Sequence, residues 1–111
     1  AAGWAEMRQA YPEAELAVLG DLNQELDAPN LVGTRVGRDA LGEVLAASGL
    51  RCVTGGNDDA LRARGWGASI DHVLLSAGLQ PVGAPHVWPD AWPAPRGLSD
   101  HHGVSVTIAS F

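Results

Sequence analysis

The stretch Ser69–Leu75, which reads SIDHVLL, decides the fold because it is the clearest strand signal in the chain. Alternation along a strand places Asp71 on one face together with Val73 and Leu75, and places His72 on the other face. A carboxylate among so many apolar residues costs free energy unless a cation, a histidine or a metal compensates it. We therefore interpret Asp71 as a candidate site residue and His72 as a packing or structurally hydrogen-bonded residue.

Two helices are predicted on the N-terminal side of this strand, from apolar residues that recur every three or four positions. The first covers Trp4–Tyr11. The second runs over Val36–Ser48, begins at a cap formed by Thr34 or Gly37, and ends at Gly49. Its apolar face consists of Val36, Ala40, Leu41, Val44 and Leu45.

Four further strands are predicted, of which the first is buried and the third is at best an edge strand because it contains two prolines. They are Leu16–Leu19, Arg51–Thr54, Leu79–Val87 and Val104–Ala109. The segment Gly55–Asp59 predicts a flexible connection, and Trp88–Gly97 predicts an ordered loop. Helices and strands are mixed, so the sequence predicts one α/β or α+β domain over residues 1–111.

Composition limits the classes of function. Apolar residues make up 46% of the chain, enough for a core, and the net charge of −6 disfavours tight binding to long duplex nucleic acid. No apolar run reaches the ~20 residues of a membrane span, and no signal peptide is present, so we expect a soluble protein of unknown compartment. The single cysteine, Cys52, is interpreted as a small buried hydrophobe.

Two more motifs carry polar residues next to apolar runs. In Gly20–Asn23, which reads GDLN, strand alternation predicts that Asp21 and Asn23 face one site, although a simple turn is an alternative. In the second motif, residues 98–104 (LSDHHGV), His101 is a candidate general base or transition-state donor that Asp71 could orient.

Two other kinds of chemistry are weaker interpretations of that last motif. The adjacent His101 and His102 invite a zinc site, but neighbouring residues rarely reach one metal and no supporting ligand spacing accompanies them. Ser99 is a poor candidate nucleophile, because no G-x-S-x-G motif is present and Ser beside Asp commonly forms a turn.

Taken in order, Gly20–Asn23, Ile70–Val73 and Ser99–Val104 resemble the motifs G-D-[FLW]-N, [IL]-D-[HY]-[IVL] and S-D-H-x-P-[IV]. These belong to the C-terminal half of the endonuclease/exonuclease/phosphatase superfamily, which includes deoxyribonuclease I. The resemblance implies a four-layered α/β/β/α sandwich with mainly antiparallel strands, of which this chain supplies the C-terminal half.

The resemblance also implies a set of roles for the motif residues. Asp21 looks like the carboxylate that orients or activates the attacking water, and Asn23 looks like a contact to the phosphate or to that group. Asp71 resembles the partner of a catalytic His101, and Asp100 resembles a ligand of Mg²⁺ or Mn²⁺. The implied reaction is hydrolysis of a phosphodiester, either nucleic acid or a small or lipid-linked compound, by in-line attack of water.

The chain departs from the superfamily pattern in two ways. Gly103 replaces the usual Pro, which we expect to loosen one loop, and nothing before Trp4 supplies the N-terminal half of the sandwich. We therefore expect a fragment or processed product that needs the missing half, a partner chain or self-association, and that is weak or inactive alone. The alternatives are a non-catalytic binding or pairing module with the same fold, and an unrelated zinc or Ser/His/Asp hydrolase.

Substrate selectivity is expected to depend on the segments Gly55–Gly67 and Trp88–Gly97. Tryptophans in or beside these segments are interpreted either as stacking platforms for substrate or as lids on the core, and the second reading is the more common one. Arginines there are candidate phosphate contacts or ordinary surface residues. These residues are Trp66, Trp88, Trp92, Arg62, Arg64 and Arg96.

Overall fold

The strand that begins at Asp71 lies at the centre of the main sheet in the computed structural model, which describes residues 2–26, 32–88 and 99–110. The helices are α1 (Ala2–Ala10), α2 (Arg35–Ser48) and α3 (Ala60–Ala63), and a 3₁₀ turn spans Gly56–Asp58. The strands are β1 (Ala17–Asp21), β2 (Leu50–Cys52), β3 (Asp71–Ser76), β4 (Leu79–Pro81), β5 (His86–Trp88), β6 (Gly103–Ser105) and β7 (Ile108–Ser110).

Every strand pairing in the described segments is antiparallel. The main sheet has the order β1-β3-β2, and two smaller two-stranded sheets pair β4 with β7 and β5 with β6. This arrangement confirms an α+β fold with antiparallel strands in small sheets.

The two faces of the main sheet follow from the alternation of side chains along β3. We call one the buried face; it carries Leu50, Cys52, His72 and Leu74, and Leu74 is fully buried. We call the other the groove face; it carries the cross-strand pairs Ala17–Leu75, Leu19–Val73 and Asp21–Asp71.

The groove face is only partly covered. Val106 and Leu79 pack against a core cluster of Val53, Val73 and Leu75. Beside this cluster, an open apolar cavity of about 270 Å³ runs along β1 and β3. Its lining consists of Ala17, Leu19, Val73, Leu75, Val104, Ser105, Val106 and Ile108.

The prediction that the first strand is buried was wrong on this face. Leu19 is 67% exposed and Ala17 is also exposed, because β1 is an edge strand and nothing in residues 2–26, 32–88 or 99–110 covers it. β1 is an apolar strand, as predicted, but an apolar strand is buried only where another element packs against it.

The prediction of the second helix is confirmed, including both ends. The Thr34 hydroxyl accepts a hydrogen bond from the Gly37 N–H at 2.9 Å, and Gly49 ends α2 in the left-handed region at φ 65°. Val36 and Ala40 were wrongly assigned to the packed face: both are exposed, and Val36, which lies in the first turn, is 78% exposed. None of the helices in the described segments combines the length and the apolar character needed to cross a bilayer.

Three of the loop and strand predictions also need correction. The strands predicted over residues 79–87 and 104–109 are each divided into two short strands, so the pairings are β4 with β7 and β5 with β6. The segment Gly55–Asp59 is not a flexible connection, because it forms the 3₁₀ turn and the cap of α3. Beyond Trp88, the predicted loop lies outside the described residues.

Candidate active site

Two carboxylates meet at one end of the main sheet. Asp21 is the last residue of β1, Asp71 is the first residue of β3, and the antiparallel register makes them direct partners. Because directly opposed residues of neighbouring strands share a face, both carboxylates lie at the end of the groove face. The Leu22 N–H donates to the carbonyl of Ile70 at 2.9 Å, which continues the pairing beyond the strand ends.

His101 completes this cluster from a turn that precedes β6. Its Nδ1 donates a hydrogen bond to Asp71 Oδ2 at 2.7 Å, and its Nε2 lies 3.9 Å from Asp21 Oδ2. One ligand atom from each of the three side chains lies within 4.8 Å of the others. The structure thus brings together three residues that are separated by up to 80 positions in the chain.

Ser99 has a structural part in this turn. Its hydroxyl accepts a hydrogen bond from the His101 N–H at 3.0 Å, which fixes the backbone that carries the imidazole. This is the turn geometry expected for Ser beside Asp, and it gives Ser99 no partner that would activate it as a nucleophile.

The surroundings of His101 favour its charged form. The hydrogen bond that His101 donates to Asp71 raises the pKa of His101 above its ordinary value, and the negative charges of Asp71, Asp100 and Asp21 act in the same direction. The imidazole is partly exposed, so Nε2 remains accessible from outside. A protonated His101 held in this way can donate a hydrogen bond to an anionic ligand through Nε2.

The turn after Asp21 differs from the predicted strand continuation. Asn23 has φ 50°, in the left-handed region, and its N–H donates to Asp21 Oδ1 at 2.8 Å. The alternation that was expected to place Asp21 and Asn23 on one side therefore stops at Asp21. Asn23 is exposed at the same end of the sheet.

His72, on the buried face, has the structural role that the sequence predicted. Its Nε2 donates to the Gln24 carbonyl at 2.9 Å, and its Nδ1 lies 3.2 Å from the Thr54 hydroxyl. Thr54 in turn accepts from the Val73 N–H at 3.1 Å. Cys52 is only half-buried and its Sγ lies 3.5 Å from His72 Nδ1, so it is more than the purely apolar residue that was expected.

Asp59 and Gln24 are two important residues that the sequence analysis missed. The buried Asp59 carboxylate accepts hydrogen bonds from the N–H groups of Leu61, Arg62 and Ser69 and from the Ser69 hydroxyl. An N-cap residue before the helix-forming run Ala60–Ala63 was a signal that could have identified it.

Gln24 offered no comparable signal, because its role depends on residues distant in sequence. It is buried directly after the GDLN turn. Its Oε1 accepts from the Thr34 N–H at 3.1 Å, and its Nε2 donates to the Glu25 carbonyl. It thereby links the turn that follows Asp21 to the start of α2.

A shallow cleft of about 110 Å³ lies beside His101. Asp100 is exposed there, and the cleft is lined by Leu61, Ala68, Ile70, Asp71, Asp100, His101 and His102. The carboxylates of Asp21, Asp71 and Asp100 are hard oxygen donors, which suit Mg²⁺ or Mn²⁺ better than a soft metal. Within the described segments, however, Asp100 lies outside the cluster of ligand atoms that Asp21 and Asp71 form with His101.

The two adjacent histidines do not converge on one point. His102 stacks on Trp66, with ring centroids 5.1 Å apart and an angle of 21° between the planes. Within the described segments, the cluster of carboxylate and imidazole ligand atoms includes His101 but not His102. The arrangement therefore gives no support to a zinc site formed by both histidines.

Gly103 does not loosen its loop as expected. It is the first residue of β6 and pairs with Trp88 of β5. A Cβ at this position would collide with the Trp88 indole, so the absence of a side chain lets the ring lie against the backbone.

Comparisons with known proteins found no relative of this chain. Neither the protein-family models, nor the curated proteins, nor the solved structures gave a match. The superfamily resemblance therefore stays a prediction that depends on the order of three motifs. Trp92 and Arg96, two of the candidate substrate contacts, lie outside the described residues.

Proposed function

We propose that this chain supplies the acid–base part of a metal-dependent phosphodiesterase site. The observation that carries the proposal is the convergence of Asp21, Asp71 and His101, with the 2.7 Å hydrogen bond from His101 to Asp71 as its centre. A histidine fixed by one carboxylate and facing a second is suited to reactions in which one group accepts a proton and another stabilises negative charge.

Each residue of the cluster has a role in this proposal. Asp71 orients the His101 ring and favours the imidazolium, whose Nε2–H donates to a non-bridging phosphoryl oxygen. Asp21 holds the attacking water and accepts its proton. The 3.9 Å between His101 Nε2 and Asp21 Oδ2 is too long for a direct hydrogen bond, so Nε2 is available to substrate.

The protons of the reaction are exchanged with Asp21 and with solvent, to which Asp21 finally releases the proton it has accepted. Water attacks phosphorus in line with the leaving oxygen, and its proton passes to Asp21 as the new P–O bond forms. The bond from phosphorus to the leaving oxygen breaks, and that oxygen takes a proton from solvent. Asn23, exposed next to Asp21, is assigned to contact the phosphate or to orient the water.

The donor set fits the metal that the resemblance implies. Mg²⁺ is commonly held by one or two carboxylates and several waters, and Asp100 is exposed in the cleft for this purpose. When bound, Mg²⁺ or Mn²⁺ supplies positive charge that stabilises the phosphoryl group as negative charge develops on it.

We further propose that the groove face is the inner face of the four-layered sandwich. The exposed Leu19 and the apolar cavity of about 270 Å³ support a second layer at this position, supplied by further polypeptide, a partner chain or a second copy. The same surface supports a second candidate function, a binding or pairing module that keeps the fold without turnover.

The experiment that tests these proposals is hydrolysis of bis(p-nitrophenyl) phosphate with Mg²⁺, with Mn²⁺ and with EDTA. Asp21→Ala and His101→Ala test the cluster, and Asp39→Ala removes an exposed carboxylate on α2 as the matched control. Metal-dependent turnover that both cluster variants lose, by roughly 10²-fold or more, supports the phosphodiesterase. Turnover that is unchanged in both variants contradicts it, and binding of metal and diester without turnover favours the pairing module.

A further inference from the structure

One side of the cleft ends in a layered contact of three side chains. The Arg64 guanidinium lies 4.8 Å from the centroid of the Trp66 ring. The same indole stacks on His102, which lines the cleft next to His101. These contacts place a cation at the rim of the candidate active site and restrict its freedom through the aromatic ring.

Charge at this rim is opposite to the charge of the cleft. Asp21, Asp71 and Asp100 are all acidic, and the whole chain has a net charge of −6. Arg64 is therefore a positive charge, linked through Trp66 to His102 of the cleft, that can attract a substrate anion to an otherwise acidic end of the molecule.

Arg64 also lines a second cavity, of about 220 Å³, between α3 and β5. Asn57 and His86 add hydrogen-bond donors to its wall, whereas Asp58 and Asp59 add carboxylates. The Asp59 oxygens already accept four hydrogen bonds from neighbouring groups, so Asp58 is the carboxylate there that opposes an anion.

We propose that Arg64 and this second cavity bind another phosphate group of the substrate. The substrate is then a phosphodiester that carries a second phosphate, and a simple isolated diester is a poor substrate. Arginine suits this role because its planar guanidinium donates two hydrogen bonds to a phosphate, and Trp66 holds it in place before the ligand arrives. The inference rests on the proposed function, since it assumes that the cleft holds the scissile phosphodiester.

Two sources of a second phosphate share this chemistry, a nucleotide chain and a phosphorylated lipid headgroup. Two ligand pairs distinguish them: a thymidine dinucleotide with one phosphate against the trinucleotide with two, and glycerophosphoinositol against its 4-phosphate. Dissociation constants for the full chain with Mg²⁺ are measured by calorimetry, and the His101 ring signals are followed by NMR in the same titrations.

We expect the second phosphate to tighten binding about tenfold in at least one pair, the gain of one charge-assisted contact. Arg64→Ala removes that gain, and Arg64→Lys retains only part of it. Arg35→Ala, which removes an exposed arginine of α2, keeps the gain and is the matched control. The pair that shows the gain identifies the source.

The inference is overturned if neither pair shows a gain, or if Arg64→Ala retains it in full. Failure of the proposed function looks different, because then none of the four ligands moves the His101 ring signals. If ligands with one phosphate and with two shift the His101 signals to the same extent, the cleft remains the proposed site of the diester. The proposed site for a second phosphate is then ruled out.

Discussion

The buried face and the groove face of the main sheet share the strand β3, yet their side chains have different surroundings. On the buried face, Leu74 is fully enclosed and His72 makes its hydrogen bonds inside the protein. On the groove face, Leu19 is 67% exposed and the strand ends in two carboxylates that face His101. The candidate active site thus lies at the end of the face that is less completely covered.

The two histidines illustrate the same contrast at the level of single residues. His72 follows Asp71 in the chain, and His101 contacts it in space. His72 directs both ring nitrogens at protein atoms, whereas His101 uses Nδ1 for Asp71 and leaves Nε2 accessible beside Asp21. The first ring fixes the fold, and the second is available to a ligand.

The largest expected effect comes from Leu74 on the buried face. Leu74→Ala should lower the free energy of unfolding by about 2–5 kcal/mol, because it leaves a cavity in a fully enclosed position. Urea denaturation followed by tryptophan fluorescence measures this change. A loss below about 1 kcal/mol would mean that the buried face is less tightly packed than described.

A smaller loss of stability is expected at His72. His72→Phe keeps a ring of similar size but leaves the Gln24 carbonyl without its donor, at a cost of about 1–3 kcal/mol. His101→Phe is the matched variant, and the same denaturation experiment should show a clearly smaller loss, because His101 is partly exposed and gives up only its hydrogen bond to Asp71. If both variants unfold equally easily, the division of roles between the two histidines is wrong.

The charge of His101 should depend on Asp71. Because the hydrogen bond raises the folded pKa of His101, its stabilising contribution is fully present below about pH 6.5 and is lost as pH rises through the raised pKa. Asp71→Asn should move the His101 pKa back towards its ordinary value in an NMR titration, and Asp39→Asn should leave it in place. An identical His101 pKa in Asp71→Asn and the original chain would contradict the assigned hydrogen bond.

The smallest effect on stability is expected at Leu19 on the groove face. Leu19→Ser changes a side chain that is already largely exposed, so the free energy of unfolding should change by no more than about 0.5 kcal/mol. The same variant should bind less of a hydrophobic dye such as ANS, because the apolar cavity beside β1 becomes more polar. A loss of stability equal to that of Leu74→Ala would show that Leu19 is covered in solution.

The features that the sequence predicted best are those with local causes. The ends of α2 follow from a hydroxyl at Thr34 and a left-handed glycine at Gly49, and both signals lie within a few residues of the helix. Within the site, the sequence singled out Asp21, Asp71 and His101 as candidates from their residue types and from the superfamily resemblance, and the structure brings these three side chains together.

The features that the sequence did not predict depend on contacts between distant segments. The exposure of β1 could not be predicted from its apolar residues, because an apolar strand is buried only where another layer covers it. The order of Gly55–Asp59 depends on Ser69, ten positions beyond Asp59, and the stack of Trp66 on His102 spans 36 positions. No local pattern in a single sequence contains these pairings.

We propose that Asp21, Asp71 and His101 act as one phosphodiester site. NMR of the His101 ring nitrogens tests this proposal most directly. Dimethyl phosphate is added to the chain with Mg²⁺, and then EDTA is added to remove the metal. We expect the His101 Nε2 signal to shift with the diester, to return with EDTA, and to stay unmoved in Asp71→Asn, while the His72 signals do not change. A diester that binds without moving His101, or that leaves the spectrum unchanged altogether, would contradict it.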